Sequence, residues 1–141
     1  MILQFTVVGK PVGKARPRVT RNGTYVPKTT KNYMRLVRDR YAKAYFFEGP
    51  VCMEVYAYFP IPKSASKKER EKIAAEGYLY TKKPDGDNVL KSIKDALSGE
   101  AYYDDSQVAY EMILRKYAED GTEPRVDVVL YDQKGGRMNA E

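Results

Sequence analysis

The sequence predicts an α+β fold: a single domain with a mixed or antiparallel sheet of about four strands and about three helices. Two observations carry this. Four runs, Ile2–Val8, Val51–Phe59, Gln107–Tyr117 and Arg125–Tyr131, have the alternation or composition of half-buried strands. Between them lie segments with helical apolar spacing or helix-start signals. With 141 residues the chain has room for one sizeable core and little for a second domain. Residues 1–132 are read as the domain and 133–141 as a flexible polar tail.

In Ile2–Val8, Leu3, Phe5 and Val7 share one face. Gly9–Lys28 is rich in Gly, Pro, Arg and Lys, and Arg21-Asn22-Gly23-Thr24 reads as a tight turn. Thr29 or Thr30 caps a predicted helix running to about Phe46, with Tyr33, Met34, Val37, Tyr41 and Tyr45 as its apolar stripe and Gly49-Pro50 as its stop. Val51, Met53, Val55, Ala57 and Phe59 then form one face of a strand. Ser66-Lys67-Lys68-Glu69 has capping-box spacing and opens a polar helix ending near Gly77. Asp87 is the expected N-cap of a helix over Asn88–Leu97, whose apolar face carries Val89, Leu90, Ile93, Ala96 and Leu97. The last two strands, joined by a Glu119-Asp120-Gly121 turn, are expected to pair antiparallel.

The net charge of +6 is unevenly spread. Met1–Phe47 holds eleven Lys and Arg against one acid, Asp39, whereas the remainder is net acidic. A basic third beside an acidic remainder suits an anion-binding surface next to a cation-binding centre. The absence of histidine removes imidazole bases and His-based zinc sites, and a single cysteine, Cys52, removes thiolate zinc sites and internal disulfides. Catalysis must therefore use carboxylates, lysines, tyrosines or a metal-bound water. No apolar run approaches the roughly 18–20 residues of a membrane span, no signal-peptide layout is present, and a cytoplasmic location is expected.

The candidate centre is Lys82-Lys83-Pro84-Asp85-Gly86-Asp87-Asn88, followed by Lys91 and by Asp104-Asp105. Each part alone is an ordinary turn or cap. Together they supply hard oxygen ligands for a divalent cation, with lysines placed to receive a phosphate. Asp87, Lys91 and Asp95 fall at i, i+4 and i+8, one stripe away from the apolar face. An EF-hand is excluded, because Leu90 stands where glycine is required and Ala96 where the bidentate glutamate belongs. Lys10, Lys14, Arg16 and Arg18 put four bases into the ten residues Gly9–Arg18, and Arg21 follows; Arg35, Arg38, Arg40 and Lys43 continue the charge along the first helix. This pattern reads as phosphate tracking. Of the 13 tyrosines, Tyr25, Tyr33, Tyr102 and Tyr103 border the charged segments, with core packing favoured over base stacking.

The composite Lys83-Pro84-Asp85-x-Asp87-Asn88-x-x-Lys91-x-x-x-Asp95-Ala96-Leu97, then Asp104-Asp105-x-Gln107-Val108, resembles the RusA family of Holliday-junction resolvases. The opening Gly-Lys-Pro-x-x-Lys-x-Arg-Pro-Arg is similar to that of many members, and the resemblance spans about Gly9 to Lys116. It implies a homodimeric Mg²⁺-dependent endonuclease, with Mn²⁺ able to substitute, that cuts four-way DNA junctions by paired symmetric nicks. It also implies that Asp85, Asp87 and Asp105 are catalytic metal ligands and Lys91 the essential lysine, with Asp95 and Asp104 secondary. Where some members carry arginine before the first aspartate, this chain has Pro84, and the basic role falls to Lys82 or Lys83. The rival readings are a family nuclease acting mainly on flaps, forks or other branched DNA, a non-catalytic branched-DNA-binding protein, and a basic protein-interaction domain.

Overall fold

The computed structural model describes residues 1–133; the predicted tail lies, beyond Gln133, outside the described residues. The elements are β1 (Ile2–Val8), β2 (Arg18–Thr20), β3 (Gly23–Tyr25), α1 (Lys28–Tyr41), β4 (Val51–Phe59), α2 (Lys67–Ala75), α3 (Gly86–Leu97), β5 (Val108–Tyr117) and β6 (Arg125–Tyr131), with a 3-10 turn at Asp105–Gln107. Four strands form a mixed sheet in the order β1-β6-β4-β5, so the α+β expectation holds. The tight turn expected at Arg21-Asn22 is present and closes a small hairpin, β2 with β3, in which Val19 lies opposite Thr24.

The expected pairing of the last two strands is wrong. β5 pairs parallel to β4, with Tyr56 opposite Leu114, while β6 lies antiparallel between β1 and β4. β6 is buried from Val128 through Tyr131, on successive residues and hence on both faces, and a strand of that kind sits inside a sheet. The parallel pair needs a long crossover, which the stretch containing α2 and α3 supplies.

The core confirms the predicted faces. Val51, Met53, Val55, Ala57 and Phe59 are fully buried, against Val126, Val128 and Leu130 of β6 and the inward residues of α1 and α3. Val89, Leu90, Ile93, Ala96 and Leu97 all face inward. Each large side chain so buried contributes about 1.5–3 kcal/mol, so α3 is held firmly under the residues it displays.

Three boundaries differ from expectation. α1 begins after Pro27 with no side-chain cap, because Thr30 is buried with its hydroxyl turned toward the Ala15 N–H. It ends at Tyr41 rather than Phe46, since Ala42 and Lys43 adopt left-handed backbone and the Tyr41 hydroxyl donates to the Tyr45 carbonyl. Tyr45 is therefore not part of the helical stripe, and Phe47 is buried with its N–H on the Ala101 carbonyl, 2.7 Å away. The N-cap of α3 is Asp85, two residues before the expected Asp87. The expected Ser66 cap of α2 is present, accepting from the Glu69 N–H at 3.1 Å and donating to the Glu69 carboxylate at 3.2 Å in place of the reciprocal box, although α2 buries no residue. Among the described residues, no helix is long and apolar enough to cross a membrane.

Candidate active site

The site is organised along α3. At its N-terminus the Asp85 carboxylate accepts from the Asn88 N–H at 2.9 Å, satisfying one of the helix's unpaired donors. Asp87 follows in the first turn, where the helix dipole favours negative charge. Its side chain is exposed and makes no hydrogen bond or ion pair among the described residues. Gly86 between them packs closely on β5: a Cβ there would lie 3.2 Å from the Ile113 side chain, which would have to give way slightly.

Two groups that the motif did not reveal hold the preceding loop. Arg115 on β5 donates to the carbonyls of Lys82 at 2.8 Å and Pro84 at 3.2 Å, and the Tyr80 hydroxyl donates to the Lys83 carbonyl at 2.8 Å. Tyr80 is itself stacked on Phe59, with centroids 3.8 Å apart. These bonds tie the backbone just ahead of Asp85 to the sheet. Arg115 lies more than thirty residues from its partners, and no local pattern announces such a contact.

The basic arm docks on the same end of α3 rather than standing free in solvent. The Lys14 N–H donates to the Asn88 carbonyl at 2.8 Å, and the Ser92 hydroxyl donates to the Val12 carbonyl at 2.9 Å. Gly13 passes so near that a Cβ would lie 2.7 Å from Pro84. A glycine in a proline-stiffened arm is a signal of close approach that the sequence did contain. A cleft of about 500 Å³ results, lined by Lys10, Gly13, Lys14, Lys83, Asp85 and Asn88, among others.

Farther along α3 the carboxylates are already engaged. The Asp95 carboxylate is 3.0 Å from the Lys14 ammonium and 3.7 Å from that of Lys91. Lys14 thus faces Asp95, whereas the Lys91 side chain remains 56% exposed. Tyr102 is fully buried and donates to the Lys94 carbonyl at 2.7 Å. Its hydroxyl has a raised pKa, first through burial and then through the charges of Asp105 and Asp95, with Asp104 contributing less. Asp104 caps the 3-10 turn in a reciprocal box with Gln107, and its hydrogen bonds to Ser106 hold its pKa below the usual value. Gln107 also donates to the carbonyls of Phe47 and Gly49, both at 2.9 Å, fixing the Asp104–Asp105 segment.

Asp85 and Asp87 therefore share one end of α3, while the charges of Asp105 and Asp95 both act on Tyr102, whose hydroxyl donates to the Lys94 carbonyl. No three carboxylates or cysteines among the described residues stand close enough to enclose a metal ion. The pair at the helix start still fits Mg²⁺, which takes one or two carboxylates, keeps several waters and adds phosphate oxygens. Of the remaining basic candidates, Lys82 and Lys83 are exposed beside Asp85, and Arg16, Arg18 and Arg21 are exposed in the arm and hairpin.

The chain is 41% identical over 137 residues to "Uncharacterized protein YqaN" of Bacillus subtilis (strain 168), across 91% of this chain and 94% of that protein. The family profile described as "Endodeoxyribonuclease RusA" matches residues 9–131, from the start of the basic arm through the end of β6. That span contains the arm, the docked loop and both ends of α3, and the chain belongs to the RusA endodeoxyribonuclease family.

Proposed function

We propose that the protein is a Mg²⁺-dependent endodeoxyribonuclease that resolves four-way junctions by paired symmetric nicks, with Mn²⁺ able to substitute. The observation that carries this reading is the cleft at the start of α3, where Lys10, Lys14 and Lys83 meet Asp85 in one concavity. Phosphate is favoured there by lysines and by the helix N-terminus, and the adjoining carboxylates favour a hard cation.

In this reading Asp85, Asp87 and Asp105 are the catalytic carboxylates that hold the cation, the first two from the start of α3. A bound Mg²⁺ supplies an activated water and neutralises charge on the scissile phosphate. Asp85 is oriented for its part by the Asn88 N–H and by the Arg115 and Tyr80 anchors of its loop. Lys91, one turn beyond Asp87, stabilises the charge that develops on the phosphate oxygens, leaving a 5′-phosphate and a 3′-hydroxyl. Asp95 and Asp104 act indirectly, Asp95 by holding Lys14 and Lys91 and Asp104 by capping the turn that bears Asp105. Lys10, Lys14, Arg16, Arg18, Arg21, Lys82 and Lys83 neutralise DNA backbone phosphates. A two-fold homodimer places two such sites on opposite strands of a nearly symmetric junction, and the reaction takes place in the cytoplasm.

The test is cleavage of end-labelled four-way junction, flap and linear duplex, with Mg²⁺ or with EDTA. The expected result is paired symmetric nicks in the junction with Mg²⁺ and none with EDTA. Binding without Mg²⁺-dependent cutting of any substrate overturns the nuclease reading, and preferential cutting of the flap moves the substrate to another branched DNA. Light scattering tests the dimer.

A further inference from the structure

A second cleft, of about 290 Å³, opens along α1 and is lined by Lys14, Val26, Lys31, Met34, Arg35 and Arg38. Four of its six lining residues are cations and none is an acid. Lys31, Arg35 and Arg38 fall at i, i+4 and i+7, so a single helix face presents all three. Among the described residues none of them has a carboxylate partner, and Asp39, the lone acid of the first 47 residues, forms no ion pair with them. The first turn of α1 contains no acidic residue, so Lys28 and Lys31 work against the helix dipole. Like charges gathered in a concave site repel one another unless an anion is present.

Lys14 lines both this cleft and the one containing Asp85. Its ammonium contacts Asp95 at 3.0 Å and approaches the Met34 sulfur at 3.9 Å. The two concavities therefore meet at one fixed side chain. The sequence could not make this distinction, since it offers Arg35, Arg38, Arg40 and Lys43 as one continuous basic stretch. In the fold, Arg35 and Arg38 line the cleft and Arg40 and Lys43 do not.

We propose that the α1 cleft binds the phosphate backbone of one DNA strand, and that this strand runs from Lys31, Arg35 and Arg38 past Lys14 into the Asp85 cleft. The proposal rests on the nuclease reading for what happens at Asp85, but its test needs no cleavage. Affinity for a fluorescent four-way junction is measured in EDTA across a range of salt concentrations, for the wild type, for Arg35→Ala with Arg38→Ala, and for Arg40→Ala with Lys43→Ala. Alanine keeps the helix. Each phosphate contact contributes about 0.7–0.9 to the slope of log affinity against log salt. The Arg35/Arg38 variant should therefore lose about 1.5 from the slope, and the Arg40/Lys43 variant should keep the wild-type value.

An unchanged slope for Arg35/Arg38, or an equal loss in both variants, overturns the proposal, because the effect is then absent or due to overall charge. A wild type that fails to bind DNA overturns it as well. A wild type that binds with the expected slopes but never cuts overturns the nuclease reading and leaves the cleft assignment standing.

Discussion

The two ends of α3 carry the same kind of residue in opposite states. At the N-terminus Asp85 and Asp87 are exposed, and Asp87 has no partner among the described residues. Toward the C-terminus Asp95 is shared by two lysines, and Asp104 closes a capping box. One end is built to receive something; at the other, Asp95 and Asp104 are satisfied within the chain, and half-buried Asp105 has no ion pair among the described residues. Lys91 stands between them, paired loosely with Asp95 and one turn from Asp87, so its ammonium is within the reach of both. A carboxylate's presence in a motif thus says less about its role than what surrounds it.

The largest way to break this contrast is Asp87→Asn. Junction cleavage should fall by at least about 10²-fold, with no more than about 1 kcal/mol of stability lost through the helix dipole and metal-free junction affinity not reduced, because Asp87 makes no internal contact. Activity within a few-fold of wild type removes Asp87 from the site. Lys91→Ala is expected to cut about tenfold to 10²-fold more slowly while remaining folded, measured as a single-turnover rate beside a thermal melt. A folding defect would instead make Lys91 a structural lysine.

Lys14→Met probes the closed end. Losing the shorter of the two Asp95 contacts should cost roughly 1 kcal/mol and lower the melting temperature by about 2–5 °C. Adding Asp95→Asn should return part of that loss, because a half-buried carboxylate left with only its looser Lys91 contact is then gone. Independent, additive losses in the double variant would show that the two side chains do not depend on each other.

Tyr102 reports on the same end through pH. Burial and the Asp105 and Asp95 charges raise its folded-state pKa above the ordinary value of 10.0. Its contribution to stability is therefore complete below about pH 10 and is lost as pH rises toward the folded value. Asp105→Asn should move its phenolate transition downward in an ultraviolet titration, and Asp87→Asn should leave it in place. Equal shifts would erase the distinction between the ends. The smallest effect belongs to Ser66→Ala, which should cost about 0.5–1 kcal/mol through the lost cap of α2 and leave cleavage unaltered.

Much of this architecture is legible in the amino-acid sequence. The apolar stripe of α3 and the alternation of β4 are local periodicities, and every residue they assign to the core is buried. The start of α3 is harder to place, because Asp85 and Asp87 are equally good caps and the stripe is the same for either choice. Strand partners are harder still: adjacency in sequence suggests a hairpin, whereas the burial of β6 on both faces calls for neighbours on each side. The Asp85-Asp87 pair and the basic arm stand out as a chemical pattern. The Arg115 clamp, the docking of Gly13 and the seat of Lys14 on Asp95 do not, since each joins residues far apart in the chain.

On the proposed reading, the divalent cation binds at the open end of α3. Paramagnetic broadening by Mn²⁺ of the backbone amide resonances, recorded with a non-cleavable junction bound, tests it directly. The account predicts that the strongest broadening centres on Gly86, Asp87 and Asn88 and disappears in Asp87→Asn. Broadening centred on Asp104–Ser106 and persisting in Asp87→Asn would contradict it.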